Sequence, residues 1–389
     1  MRNGARSRSQ CRPRVARLSP SEKNSEMSFP NMQPPEYPAT GSGLTSLAYH
    51  RAGQQGRPLI VFLPGGCHLA RIAYGQGRGD RRDFLDHWFE ELGCGLLGLS
   101  YPTDHPSVSS TRSDLTIAEW AAYVAEVVAD KARNDKASDV LIQMWSMAGR
   151  SVFALNRACL AQGIEVHFIS LAATPPLPGL IPLSDGGEPL GKTGFWTFQG
   201  NKFMRGFDEA IADQSTRAGR QTIGIDAYHE HFLCNTPIML RGTAQRFCAG
   251  RMHWSEDEAA ADTLNGDLDA APLTATIVPT ASSDMAHVLG DSSSWGHLNT
   301  QWLVRRAAAE KPLSTDVWSG LREIAARGWQ RLTIHSEGGH FFFLGESGAR
   351  EVAHASLHLL HEMKSTLREV DTLLAAPSPA QADEERARK

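Results

Sequence analysis

A serine stands where this chain changes from a short apolar run to a helix-like pattern. Residues 140–145 are apolar and partly β-branched, which is typical of a buried strand, and the residues from Met147 onward fit a helix. A serine between the two, here Ser146, is lifted above a sheet, and the N–H of Met147 could stabilise an oxyanion there. The pattern indicates a nucleophilic serine. The alternative is a plain helix N-cap, a common role for serine.

A histidine that could serve this serine lies much later in the chain. A predicted strand at 332–335 leads into Gly338, Gly339 and His340, and an apolar segment follows. Nucleophilic serine catalysis requires a base, an acid that orients the base, and donors for the oxyanion. His340 is the candidate base, because two glycines permit a tight backbone before it and apolar residues anchor the loop after it.

Two motifs resemble those of a known superfamily. The turn at Ser146 resembles the nucleophile elbow of the α/β-hydrolases, although that family prefers glycine where this chain has Met144 and Ala148. Residues 338–342 followed by Leu344 resemble the GGHFF loop of type II thioesterases, α/β-hydrolases that cleave acyl groups from carrier proteins. The resemblance implies a mostly parallel, doubly wound sheet with an inserted cap, and the chain order Ser, acid, His.

The resemblance also implies where the acid lies. The family uses an acid in the loop after the penultimate strand, which is predicted here at 273–278. Asp284 lies in that loop, and Asp291 is the alternative acid further along the chain. We expect Asp284 to orient His340, because a short loop can deliver it there.

The second oxyanion donor is also implied by the resemblance. An early apolar strand at 58–63 ends in a Pro-Gly-Gly turn, and this fold supplies a donor from that loop. The N–H of Gly66 is the candidate. The expected site therefore comprises Ser146, His340 and Asp284 as catalytic residues and Gly66 and Met147 as oxyanion donors.

Strands and helices alternate over most of the chain. The predicted strands are 44–49, 58–63, 94–101, 140–145, 166–171, 273–278 and 332–335, and the predicted helices include 80–92, 116–132 and 349–374. This spacing is typical of βαβ units and predicts a parallel sheet with helices on both faces.

The chain divides by composition into five segments. We predict a disordered tail and linker at 1–43, the first part of the core at 44–175, a cap at 176–271, the second part of the core at 272–374, and a mobile tail at 375–389. The predicted cap holds aromatic residues that could line an acyl pocket or pack the cap on the core, namely Phe195, Trp196, Phe198, Phe203, Phe207, Tyr228 and Phe232.

Composition restricts the partners. The chain has 389 residues, 41% hydrophobic and 21% charged, with a net charge of -4, so no nucleic-acid partner is expected. No apolar run reaches the roughly 18 residues of a membrane span. The six cysteines form no CxxC pair, which favours free thiols in a reducing, cytoplasmic compartment. The Arg-rich residues 1–26 fit a transit peptide, a disordered tail, or a sequence whose start is Met27.

These observations lead to a functional hypothesis. The chain is predicted to be a serine hydrolase of a small-molecule ester or thioester, with an acyl group that a carrier protein could hold, and to need no metal and no organic cofactor. The alternatives are an acyltransferase on the same fold and a non-catalytic scaffold of that fold, which the residues at Met144 and Ala148 motivate. The sequence leaves the oligomeric state open.

Overall fold

The computed structural model describes residue 32 and residues 35–77, 79–108, 110–180, 193–197, 202–309 and 313–375. Within these ranges the strands are β1 Glu36–Gly41, β2 Leu44–Arg51, β3 Leu59–Leu63, β4 Gly95–Leu99, β5 Val140–Trp145, β6 His167–Leu171, β7 Phe195–Trp196, β8 Thr236–Pro237, β9 Gln245–Cys248, β10 Arg251–Trp254, β11 Thr274–Pro279 and β12 Thr333–Ser336. The α-helices are α1 Arg71–Tyr74, α2 Leu85–Glu91, α3 Ile117–Asp135, α4 Val152–Ala161, α5 Lys202–Arg217, α6 Ile225–His231, α7 Glu256–Thr263, α8 Met285–Ala309, α9 Thr315–Arg331 and α10 Glu346–Leu374.

Eight strands form one sheet in the order β1-β2-β4-β3-β5-β6-β11-β12. Strand β2 runs antiparallel to β1 and to β4. The other neighbours in this sheet, from β4 through β3, β5, β6 and β11 to β12, pair in parallel. Strands β3 and β5 are buried along their whole length, as central strands of a sheet covered on both faces must be. The predicted fold class, a mostly parallel doubly wound sheet, is confirmed.

Helices cover both faces of the sheet. Helices α3 and α4 pack on one face, and α2, α9 and α10 pack on the other. Helix α3 begins with a capping box, because Thr116 accepts a hydrogen bond from the N–H of Glu119 and the Glu119 carboxylate accepts one from the N–H of Thr116. Thr116 is therefore the N-cap of α3.

The predicted linker before the first core strand is wrong over residues 36–43. Residues 36–41 form β1, which pairs with β2 through a tight turn at Ser42 and Gly43, both of which have positive φ. Strand β1 lies at the edge of the sheet, where Pro38 is tolerated because one side of an edge strand has no ladder partner. Because an edge strand can contain proline, the proline and glycine content that suggested a linker is also compatible with β1.

The region predicted as a cap lies outside the large sheet where it is described. It contains helices α5 to α7 and two small ribbons, β7 with β8 and β9 with β10. Residues 181–192 and Phe198 lie outside the described residues, and the side chain of Phe203 is not described. Apart from the linker corrected above, the boundaries of the five segments stay a prediction.

Two further expectations concern cysteines and membranes. Cys67, Cys94, Cys159 and Cys234 are buried free thiols. Cys248 is disulfide-bonded, and a reducing compartment does not favour disulfides. The cytoplasmic location therefore stays a prediction. No helix within the described ranges is long and apolar enough to cross a membrane.

Candidate active site

Ser146 occupies a strained turn between strand and helix. Strand β5 ends at Trp145, a 3₁₀ helix runs over Ser146–Ser151, and α4 continues from Val152. Ser146 has a φ of 55°, which is uncommon for a residue other than glycine and costs backbone energy. Met147 lies in the first turn of the 3₁₀ helix, where backbone N–H groups have no acceptor within the helix.

Two glycines relieve the crowding around this turn, but they are not at the positions two residues before and after Ser146. A Cβ on Gly65 would lie 2.8 Å from the Cβ of Ser146, and one on Gly149 would lie 2.8 Å from the carbonyl oxygen of Thr174. Met144, which stands where the family prefers glycine, is a fully buried strand residue in the core. The close approaches therefore fall at Gly65 and Gly149, and the large side chain of Met144 is accommodated.

His340 contacts the acid that the sequence predicts for it. Its Nδ1 lies 2.8 Å from Oδ2 of Asp284. Burial alone would raise the pKa of Asp284, but the hydrogen bond and the charge of His340 hold that pKa below its usual value. The carboxylate form of Asp284 is therefore favoured beside His340.

Two glycines bring the loop of Asp284 beside the loop of His340. The carbonyl oxygen of Gly338 accepts hydrogen bonds from the N–H groups of Thr280 and Ala281, at 3.1 and 2.8 Å. Gly338 has a φ of 131°, and a Cβ on Gly339 would lie 2.8 Å from Oγ of Ser283. Both glycines of the GGHFF loop thus have a physical role in joining these loops.

Ser146 and His340 face one cavity, but the described structure forms no hydrogen bond between them. The elbow and the histidine loop do touch, since Nε1 of Trp145 donates to the carbonyl oxygen of His340 at 3.1 Å. Catalytic hydrogen bonds are often long or misaligned without substrate and tighten when it binds.

The loop after β3 brings Gly66 to the lining of the cavity. The hydroxyl of Tyr101 donates to the carbonyl oxygen of Gly65 at 3.2 Å. Because carbonyl and N–H point in opposite directions across a trans peptide, this bond directs the N–H of Gly66 away from Tyr101. The next N–H, of Cys67, is already bound to Oγ1 of Thr236 at 2.7 Å. Gly66 is therefore the better placed donor of the two.

His68, which was not predicted as a site residue, holds this loop from inside the protein. His68 is fully buried, and burial lowers its pKa to about 3, so the ring is neutral. Its Nδ1 lies 2.8 Å from the carbonyl oxygen of Gly66, and its Nε2 lies 2.6 Å from the hydroxyl of Tyr228. A neutral ring with these partners donates from Nδ1 and accepts at Nε2. Only its position after the Pro-Gly-Gly turn could have drawn notice in the sequence.

The alternative acid, Asp291, has a different partner. It lies on α8 and receives a hydrogen bond at 2.9 Å from Nδ1 of His287, one turn earlier. Burial raises the pKa of Asp291. Burial opposes the charged form of His287, but Asp291 raises its pKa above the usual value. The two acids thus form separate pairs, Asp284 with His340 and Asp291 with His287.

One group of side chains could also hold a metal ion. The ligand atoms of Asp284, His287 and His340 lie within 4.8 Å of one another. In a tetrahedral zinc site with bonds of ~2.0 Å, neighbouring ligand atoms are about 3.3 Å apart. Nδ1 of His340 is 2.8 Å from Asp284, which is a hydrogen-bond distance. The geometry favours a shared proton between these two groups over a metal ion.

A cavity of about 1040 Å³ joins these groups. Its lining includes Gly66, Ser146, Met147, Arg150, Trp196, Phe207, Arg241, Asp284, His287, His340 and Phe341. Of the aromatic residues predicted for an acyl pocket, Trp196 and Phe207 line the cavity, whereas Phe195, Tyr228 and Phe232 are buried in the packing. The structure therefore brings all five predicted site residues to one cavity.

Comparisons with known proteins find similarity only among solved structures. No protein-family model and no curated protein matches the chain. A putative hydrolase from Agrobacterium vitis is 14% identical with a TM-score of 0.43, and the match covers 84% of this chain and 98% of that chain. A thermophilic esterase from Thermogutta terrifontis is 10% identical with a TM-score of 0.40, covering 84% and 98%. An esterase from Exiguobacterium antarcticum is 12% identical with a TM-score of 0.39, covering 82% and 96%. Values this low carry no argument about substrate or mechanism.

Proposed function

We propose that the protein is a serine hydrolase that cleaves an ester or thioester through an acyl-enzyme on Ser146. The observation that carries the proposal is the hydrogen-bonded pair of His340 and Asp284, which opens into the same cavity as a serine on a strained turn. Residues held in a strained backbone conformation cluster at active sites. A serine that only caps a helix does not need a positive φ.

The reaction follows from these groups. Oγ of Ser146 attacks the acyl carbon while Nε2 of His340 accepts the hydroxyl proton. The N–H groups of Gly66 and Met147 stabilise the negative oxygen of the tetrahedral intermediate. His340 then gives its proton to the leaving alcohol or thiol, and the acyl group remains on Ser146. Water attacks the acyl-enzyme, His340 accepts its proton, and that proton returns to Ser146 as the acid is released.

Asp284 keeps His340 in the required state throughout. Its carboxylate accepts the hydrogen bond from Nδ1–H, which leaves Nε2 free to accept a proton, and it stabilises the imidazolium that forms. The thioester part of the proposal rests on the GGHFF loop alone, at residues 338–342. Transfer of the acyl group to an alcohol instead of water would use the same acyl-enzyme.

The test is hydrolysis of short-chain p-nitrophenyl esters and of an acyl thioester by the purified chain. Ser146→Ala should reduce turnover of both to background. Ser151→Ala is the matched control, because Ser151 lies five residues later with its hydroxyl bound to the carbonyl oxygen of Ala148. Ser151→Ala should keep wild-type turnover. Full turnover by a folded Ser146→Ala variant would refute the proposal.

A further inference from the structure

Arg150 is a cation in the cavity whose charge has no acidic partner among the described residues. It follows Ser146 by about one helical turn and lines the same cavity. One of its terminal nitrogens donates to the carbonyl oxygen of Arg241, and its Nε is buried without a hydrogen-bond partner. Burial, and then the like charge of Arg241, lower the pKa of Arg150 to about 10, so it is still charged at neutral pH.

Arg241 extends this positive region toward the oxyanion loop. Its guanidinium carbon lies 4.5 Å from the ring centroid of Trp196. The ring of Trp196 in turn covers Gly66, since a Cβ on that glycine would lie 2.7 Å from it. One wall of the cavity therefore runs from the oxyanion donor Gly66, across Trp196, to the two arginines.

A third arginine of the cavity provides a contrast. Arg217 lines the cavity too, but it is 2.9 Å from a carboxylate oxygen of Asp213 and 3.3 Å from one of Glu337. Its charge is therefore balanced within the chain. Arg150 has no carboxylate partner among the described residues, and a buried guanidinium without one costs free energy unless an anion binds there.

We infer that Arg150, with Arg241 beside it, binds an oxyanion carried by the substrate, either a carboxylate or a phosphate. A guanidinium offers planar, forked donors that match both groups. The substrate class is then an ester or thioester that bears a negative charge away from the reacting carbonyl. This inference rests on the proposed function, because it concerns the same cavity.

The test compares the wild-type protein on two substrate pairs. The first pair is the p-nitrophenyl monoester of glutarate and p-nitrophenyl pentanoate, which differ in a carboxylate. The second pair is butyryl-4′-phosphopantetheine and butyryl-pantetheine, which differ in one phosphate. We expect kcat/KM to favour the anionic member of one pair by about 10- to 100-fold, the size of a charge-assisted contact. The preferred pair identifies carboxylate or phosphate as the source.

Variants assign that preference to Arg150. Arg150→Met should reduce the ratio of kcat/KM within the preferred pair to about one, and Arg150→Lys should retain part of it because the charge remains. Arg217→Met is the control, and it should leave the ratio as in the wild-type protein because Arg217 is already paired.

Two outcomes would overturn the inference, and they differ. If the neutral esters are hydrolysed but neither anionic member is preferred, or if Arg150→Met keeps the preference, the anion site is wrong and the hydrolase stands. If no member of either pair is hydrolysed and Ser146 does not react with a fluorophosphonate, the proposed function fails and the inference fails with it.

Discussion

A partly buried acid and a buried acid lie near His340, and the contacts of each indicate a different role. Asp284 meets Nδ1 of His340 at 2.8 Å, whereas Asp291 meets His287 on its own helix. An acid that fixes the tautomer of the base is required for full turnover, and an acid in a neighbouring pair is not. The role of Asp284 as the orienting acid is thus a specific prediction.

We expect Asp284→Asn to lower kcat about 10⁴-fold, because an amide cannot hold His340 in the reactive tautomer. Asp291→Asn is the matched variant and should cost far less, since Asp291 does not contact His340. Steady-state kinetics on one p-nitrophenyl ester measure both. A large loss in Asp291→Asn with an active Asp284→Asn would reverse the assignment of the acid.

The pair of His287 and Asp291 predicts a pH dependence of stability. The folded state raises the pKa of both groups, so it binds protons more tightly than the unfolded chain. The contribution of His287 is fully present below its unfolded pKa of about 6.5 and is lost as the pH rises through the higher folded value. The pKa of Asp291 is also raised in the folded state, so its contribution to stability also decreases as the pH rises.

The double variant His287→Gln/Asp291→Asn removes both titrations. The free energy of unfolding of the wild-type protein minus that of the double variant should decrease from pH 6 to pH 9, as measured by urea unfolding at several pH values. A difference that increases over this range would contradict the raised pKa of His287.

Among the elements, the loop after β3 depends on a hydroxyl from the end of β4. Tyr101 is fixed by its bonds to Gly65 and Thr236, at 3.2 and 3.0 Å. Through Gly65 it directs the N–H of Gly66 away from Tyr101. The direction of this N–H, the proposed oxyanion donor, therefore depends on a residue that is not part of the cavity lining.

We expect Tyr101→Phe to lower kcat about 10-fold or more with little change in KM, because the loss of one oxyanion donor costs about 10²–10³ and this change only disorders its direction. Tyr123→Phe is the control, since its hydroxyl bonds the carbonyl oxygen of Ala39 far along the chain from this loop. The two variants are compared on the same ester. Equal kcat values for the two variants would show that Tyr101 does not position the N–H of Gly66.

The strand and helix pattern of the core was predictable because central strands are continuous apolar runs and the long helices have clear apolar faces. Strand β1 was missed, since an edge strand tolerates Pro38 and shows no continuous run. Helices α8 and α9 were not assigned. Gly290 and Gly296 weaken the helix signal of α8, and tertiary packing overrides it.

At the site, the sequence predicted residues that bear motifs and missed residues that support them. Ser146, Asp284 and His340 follow strands, where chemistry is expected. The packing of Gly65 against Ser146, and the bond from His68 to Gly66, join residues through space and leave no periodic pattern. Such contacts depend on side-chain positions that one sequence does not specify.

At the scale of the whole molecule, one buried ion pair joins the edge strand, the core and the inserted region. Arg71 lies 2.6 Å and 2.7 Å from the two carboxylate oxygens of Glu36 on β1, and it donates to the carbonyl oxygen of His231 on α6. Both side chains are 1% exposed. Removal of one partner leaves a buried charge without compensation.

We expect Glu36→Ala to lower the free energy of unfolding by roughly 3–5 kcal/mol, the usual cost of breaking a buried pair. Glu323→Ala is the control, because Glu323 pairs with Arg327 on the surface of α9, and the cost there should be about 0.5 kcal/mol or less. Urea unfolding measures both. Equal losses would mean that burial adds nothing to the pair with Arg71.

The central claim is that Ser146 is the nucleophile, and a fluorophosphonate probe tests it most directly. The probe reacts covalently with an activated serine, and proteolysis followed by mass spectrometry identifies the labelled residue. The account predicts stoichiometric labelling at Ser146, none in Ser146→Ala, slow labelling in Asp284→Asn, and unchanged labelling in Ser151→Ala. Labelling at another serine, or none in a folded protein, would contradict it.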